Sequence, residues 1–393
     1  MSAGVLSKQQ IRELIDPSSG RRVIEPAGGV KLKIDGSSFD LPIGAEYWEM
    51  KGSCRAGKGL NVGDIIRKYA CHENPKPVGH KLRLIRNNVY LFKVGCKLDL
   101  HQTGIQGKAT GRSSIGRLDV LVRLLTDGAT SFDHVELDYK GELFLEVTPI
   151  TFDLFVRPGT RLSQLRLFRG NEHLITLTRE ALLLEQYDDT FPVLDANGAL
   201  MTEVRQNRLQ EFWFPFCLDL SPDPSAGCCG FMAKKGISDP VYPDRKNKHE
   251  PIDFWDPVLP DEDLMDVGRQ ERAIRLKTDC LYILRSKERL RIPRHLCLEC
   301  QAYTETMGEW RIEYAGFAHP WFGRTRPDKA GTPIIFEVRG HNIPTILTDG
   351  IPLGNVCFRR MSLPVRKPTK LGVYEKQELK LSSCFKPWPA QGA

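Results

Sequence analysis

The chain has 393 residues, 41% hydrophobic and 27% charged, an ordinary globular balance that predicts two or three domains at roughly 100–200 residues each. The net charge of +7 favours anionic ligands, but the sequence holds no long Lys/Arg block, so no nucleic acid polymer is expected as partner. No apolar run reaches the roughly 18 residues of a membrane span, the start MSAGVLSKQQIREL lacks an apolar secretory core, and the 11 scattered cysteines read as reduced thiols, so no membrane partner and a cytoplasmic setting are expected.

In chain order, Ser7-Lys8-Gln9-Gln10 has capping-box form and predicts a short opening helix. GSCRAGKG (52–59) approaches a phosphate-cradling loop. Gly59 stands where that loop needs a hydroxyl and no helix pattern follows, so it reads as a plain glycine-rich loop. Strands are predicted at VYLFKVGCKLDL (89–100), HVELDYKGELFLEV (134–147) and LSQLRLF (162–168), each bounded by turn residues. TREALLLEQY (178–187) reads as a helix capped by Thr178, and DDTFPVLDANG (188–198) as a linker. Further strands are predicted at CLYILRS (280–286), TPIIFEVRG (332–340) and NVCFRR (355–360). Many short strands with few helices make the fold class mainly β, a sandwich or barrel.

LFLEV (143–147) and IIFEV (334–338) align at an offset of 191 residues, 337 minus 146 for their glutamates. The same offset brings Gly159 to Gly350, Leu162 to Leu353, Leu165 to Val356, Phe152 to Ile343 and Val156 to Leu347 without a gap. This is too long a period for a solenoid and predicts two copies of one β domain joined within 188–205.

KATGRSSIGRLDV (108–120) sets small and hydroxylic residues between two arginines. One reading is a surface turn. The other is an anion cradle, with glycines letting backbone amides converge, Ser113 and Ser114 adding donors, and Arg112 and Arg117 offering forked bonds to phosphate. Glu146 and Glu337 each end an apolar run. Either is an outer-face ion-pair partner or a partly desolvated carboxylate able to carry protons. Cys297 and Cys300 in HLCLEC are half a zinc site at best. The deaminase pattern H-x-E is met only by His134-Val135-Glu136, roughly 160 residues upstream, so buried thiols on a strand are the expected reading and zinc is not expected.

GRSSIGRLDV resembles the phosphate-binding motif of dCTP deaminases, members of the trimeric dUTPase superfamily. VELDYKGELFLEV (135–147) resembles the motif that follows it, and YAGFAHPWFG (314–323) with IIFEVRG the same motif in the second copy. VRPGTRLSQLRLF, ILTDGIPLGNVCF, GFMAKKG and DFWDPV look like the long tandem-domain bacterial enzymes.

The resemblance implies two tandem dUTPase-like distorted jelly-roll barrels with a few short helices. The first domain would span 1–187 and carry the Arg-Ser-Ser motif, with a linker at 188–205 and a second domain at 206–393. It also implies hydrolytic deamination of dCTP to dUTP and ammonia, without zinc, with Mg2+ accompanying the triphosphate and a glutamate managing the protons. Ser113 and Arg117 would lie near the base, and Arg112 and Ser114 would hold phosphates. Sites would form between neighbouring barrels, consistent with a homo-oligomer.

The second copy lacks the Arg-Ser-Ser motif near QAYTET (301–306). The resemblance then implies one phosphate loop per chain and leaves two candidates for the catalytic carboxylate: Glu337, with Ala315, Phe317, His319 and Trp321 lining the base pocket, or Glu146, with Tyr139 lining a first-copy pocket. The fuller motif around 314–323 favours Glu337. His319-Pro320-Trp321-Phe322 replaces the usual Asp-Pro-Gly-aromatic, and RTRPDKAG (324–331) inserts a basic loop, expected to be a solvated hairpin tip. Two rival functions remain. One is dUTP hydrolysis to dUMP and pyrophosphate, alone or beside deamination, against which stands the lack of a glycine-rich C-terminal arm. The other is a non-catalytic nucleotide-binding regulator.

Overall fold

The computed structural model describes residues 2–18, 20–55, 57, 59–184, 192–195, 197–199, 201, 214–264, 271–301, 310–312, 316–326, 328, 330–366 and 377–389. They form two compact units. The first is Met1–Ile175 with Ser238–Arg245 and Arg360–Val365; the second is Thr176–Ile237 with Lys246–Arg359 and Arg366–Ala393. The first boundary thus falls between 175 and 176, where the sequence suggested 187, and Val193–Leu194, inside the expected linker, pairs as a strand with Leu290 and Arg289.

The first unit opens with α1 (Lys8–Ile15), held by the expected Ser7–Gln10 capping box. Its main strands are β1 (Phe39–Met50), β2 (Leu82–Leu84), β3 (Val89–Asp99), β4 (Ile105–Gly111), β5 (Val120–Leu125), β6 (Lys140–Pro149), β7 (Leu154–Val156) and β8 (Arg161–Arg169). The sheet runs β5-β6-β3-β1-β8-β4 and closes on His134–Val135, while β2 pairs with β7. Phe39, Phe92, Leu145 and Leu165 are fully buried at its centre. A helix does follow the glycine-rich loop: α2 (Val62–Tyr69) starts at Asn61, whose side chain exchanges hydrogen bonds with Asp64. Its apolar positions Val62, Ile65 and Ile66 pack on Trp48, Met50 and Leu91.

Between β4 and β5 lies a single turn, α3 (Ser113–Gly116). In the second unit α4 (Arg179–Leu184) begins as expected, the Ala181 amide donating to Thr178 Oγ1 at 3.1 Å. Its strands are β9 (Phe214–Asp219), β10 (Ala273–Leu276), β11 (Leu281–Leu290), β12 (Leu296–Gln301), β13 (Thr332–Gly340), β14 (Thr345–Thr348) and β15 (Pro352–Arg360). The order β11-β9-β15-β12 repeats β3-β1-β8-β4, with β13 on β11 as β6 is on β3.

The repeat is exact in its turns. Gly159 and Gly350 share φ near +88 and +83, a region in which a side chain is strained. Their amides donate to Ile43 and Leu218 at the same 2.8 Å. The buried Tyr90 hydroxyl accepts from the Ile85 amide at 2.9 Å, and that of Tyr282 from Lys277 at 2.8 Å. These upstream pairs run at an offset of 192, one more than downstream. Both copies are therefore mainly β, as the repeat predicts, and barrel-like, as the resemblance implies. Among the described residues no helix is long and apolar enough to cross a membrane.

Candidate active site

In the first unit the phosphate-motif residues occupy the corner where β4 passes through α3 into β5. Arg112 is still extended (φ −70, ψ 143), and its amide donates to Leu162 at 3.1 Å, so β8 fixes the corner. Its guanidinium lies with Nε 3.4 Å from Asp40 and donates from Nη1 to the Arg161 carbonyl at 3.3 Å. Ser113 is half-buried, Ser114 buried, and Arg117 reaches inward, 2% exposed. The four polar residues of the motif are thus gathered on one turn.

Glu146 sits in the middle of β6, between Leu91 and Arg123 on the neighbouring strands, and is buried. The glycine-rich loop lies on it. Ser53 Oγ donates to Oε1 at 2.6 Å and the Cys54 amide to Oε2 at 3.0 Å. Burial pushes its pKa up, against these two hydrogen bonds and Arg123. Asp133 nearby, raised by its own burial, pairs with Arg123 at 2.9 Å. Tyr139 is buried with its hydroxyl donating to the Glu142 carbonyl, and burial raises it too.

The phosphate motif enters β5 beside Ile150, whose amide donates to the Asp119 carbonyl. From Ile150 back to Glu146 is four residues, about 13 Å of strand.

In the second unit Glu337 occupies the matching place on β13, opposite Ile283, and is buried. Cys300 on β12 lies within its field. The Cys300 thiol is pushed up to about 12, first by burial and further by Glu337. Phe317 pairs with Glu299 beside it, and the Cys300 amide donates to Gly316 at 2.9 Å, so Phe317 joins the Glu337 neighbourhood. Ala315 lies outside the described residues, as does most of QAYTET.

His319 begins a turn that leads away from this group. Trp321 (φ +76) donates its amide to the Ile292 carbonyl at 2.9 Å, and the Arg324 guanidinium lies 5.7 Å from its ring. The turn therefore stands at the Leu290–Thr332 end of β13, about 16 Å of strand from Glu337.

The basic insertion is not a solvated tip. The Arg326 side chain is 15% exposed and pairs with Asp328 and Glu378 at 2.8 Å each. Ion pairing within the unit holds it down. Cys297 and Cys300, three apart on a strand, fall on opposite faces, and all 11 cysteines are free thiols. Among the described residues no cluster of three His, Cys, Asp or Glu could hold a metal ion. Sequence reasoning missed Ser53, Cys54 and Asp40, and read Cys300 only as a buried thiol. The glycine-rich loop was the visible signal for the first two, and strand pairing alone brings in Asp40.

Fold and site together define a tandem of dUTPase-like barrels, with a cationic serine turn in the first copy and a buried glutamate on the matching strand of each. Residues 2–171 match the model of the 2'-deoxycytidine 5'-triphosphate deaminase N-terminal domain and residues 188–385 that of its C-terminal domain. The chain belongs to the 2'-deoxycytidine 5'-triphosphate deaminase family. It is similar to the crystal structure of 2'-deoxycytidine 5'-triphosphate deaminase from Agrobacterium tumefaciens, at 27% identity and a TM-score of 0.77, covering 92% of this chain and 100% of that one. No curated protein sequence matches it.

Proposed function

We propose that the protein deaminates dCTP hydrolytically to dUTP and ammonia, with Glu337 carrying the proton. The observation that supports Glu337 over Glu146 is the fuller family motif YAGFAHPWFG (314–323) that precedes it in the sequence. The copies then divide the work, the first keeping the phosphate turn and the second the working carboxylate.

Water attacking C4 of cytosine gives one proton to Glu337, which passes it to N3; the new C4 hydroxyl then gives up its proton, which Glu337 passes to the leaving amine as the C4–N bond breaks and the carbonyl of uracil forms. Ser113 and Arg117 orient the base and stabilise the tetrahedral centre as polar donors. Arg112 and Ser114 take phosphate oxygens, Arg112 by its fork. Phe317 supplies an apolar wall for the base. His319 and Trp321, set away from Glu337, act at most on the sugar side.

Ser113, Arg117 and the glutamate all have to reach the base. This reading sets the site between neighbouring barrels of a homo-oligomer, a first copy supplying the phosphate turn and a second copy the carboxylate. Magnesium enters as part of the nucleotide, taking most of its ligands from phosphate oxygens and water, which calls for no protein cage.

The dUTP-hydrolysing alternative gains nothing from residues 377–389. These are tied to the second unit, with the Leu379 amide on Asp223 at 2.9 Å and Gln377 on the Pro333 carbonyl at 3.1 Å. Glu337→Gln and Glu146→Gln test the assignment. The first is expected to lower kcat about a thousandfold or more and the second to leave it within about threefold. The reverse pattern overturns the choice of Glu337.

A further inference from the structure

Asp40 is 4% exposed, on β1, and its backbone is spoken for by the Lys33 carbonyl. Its neighbours across the sheet are Gln164 on β8 and then Thr110 on β4, two residues before Arg112. A buried carboxylate is costly unless a cation answers it. Here Arg112 Nε stands 3.4 Å from Oδ1 and Lys33 Nζ 3.8 Å from Oδ2, and Oδ2 accepts no hydrogen bond. The Arg112 fork is thereby divided. Nε faces Asp40, Nη1 the Arg161 carbonyl, and Nη2 makes no bond among the described residues.

We propose that Asp40 is a positioning residue for phosphate recognition. It holds Arg112 by the Nε edge so that Nη2 remains for a phosphate oxygen of the nucleotide. The inference rests on the reading that the Arg112–Arg117 turn binds phosphates.

Two effects of removing Asp40 have opposite signs, which makes the inference decidable. Without the carboxylate the turn gains a unit of positive charge, and simple attraction would tighten phosphate binding. Without the anchor Arg112 keeps one bond at 3.3 Å, at the long end of the range, and loses its orientation. Orientation prevails here, because a forked bond to phosphate depends on the plane of the guanidinium.

The test is calorimetric titration of the full chain with inorganic tripolyphosphate, using wild type, Asp40→Asn, Arg112→Ala and the double variant, beside steady-state kinetics with dCTP. Asp40→Asn is expected to weaken tripolyphosphate about tenfold, to raise KM for dCTP by a similar factor and to leave kcat within about twofold. In the Arg112→Ala background it is expected to change binding less than about twofold, because it acts through Arg112. Should Asp40→Asn not fold, Asp40→Glu, which keeps the charge but displaces it by a methylene, is expected to show the same KM-only defect.

Unchanged or tighter binding by Asp40→Asn, an equal loss in the Arg112→Ala background, or a fall in kcat at constant KM each overturns the inference. Wild type that fails to bind tripolyphosphate overturns the phosphate reading beneath it, which is a distinguishable result.

Discussion

Ser53→Ala removes the hydroxyl that donates to Glu146 Oε1 at 2.6 Å and leaves the Cys54 amide on Oε2. A hydrogen bond to an ionised group contributes about 1.5–3 kcal/mol, so the first unit is expected to lose about 2 kcal/mol wherever Glu146 is charged. Burial holds the folded pKa of Glu146 above its ordinary 4.5. Folded protein thus keeps this proton to higher pH than unfolded protein. Its contribution is most favourable below 4.5 and declines as pH rises through the folded value.

Removing the hydroxyl raises that folded value further and steepens the decline. The penalty of Ser53→Ala is therefore expected to be small at about pH 4 and full at about pH 8, read by urea unfolding at both. Deamination of dCTP is expected to stay within about threefold of wild type, because the proposed proton carrier is Glu337. An equal penalty at both pH values, or a loss of kcat as deep as that of Glu337→Gln, refutes the reasoning.

Tyr90→Phe and Tyr282→Phe each remove the acceptor of a backbone amide, of Ile85 or Lys277, and are expected to cost their own units a similar amount, about 0.5–1.5 kcal/mol, by denaturant titration. Gly323→Ala would bring a Cβ within 1.9 Å of the Leu290 carbonyl at a φ of +69. It is expected to destabilise the second unit by about 3 kcal/mol or more while leaving the unfolding of the first unchanged. Asp223 is held below its ordinary 3.8 because, although burial raises it, the Ser225 hydroxyl, the Leu379 amide and Arg285 prevail. Its stabilisation is complete above 3.8 and is lost as pH falls through the lower folded value, so limited proteolysis in acid is expected to release residues 377–389 first.

The repeat was legible because its two most constrained features survive in both copies. These are a glycine in a left-handed turn, Gly159 and Gly350, and a glutamate in an apolar strand, Glu146 and Glu337. The phosphate turn was legible as composition. Strand β1 was not: Pro42 and Gly44 interrupt its alternation, and its pairing with β3 shifts register between Ile43 and Tyr47. Helix α2 escaped because an Asn61–Asp64 cap replaces the Ser–Glu form and only two turns follow.

The contact of Ser53 on Glu146, 93 residues apart, and the approach of Asp40 to Arg112 across one intervening strand are non-local. No periodicity reports them. The same holds for the 238–245 and 360–365 segments that join the first unit, where the Phe155 amide donates to Val241 at 2.8 Å.

Ammonia release from dCTP and magnesium, with the nucleotide products resolved by chromatography, tests the proposed reaction most directly. Wild type is expected to yield ammonia and dUTP in equal amounts, and Glu337→Gln to yield neither. Wild type that binds dCTP and releases no ammonia would contradict dCTP deamination, and pyrophosphate appearing with dUMP would contradict deamination as the sole reaction.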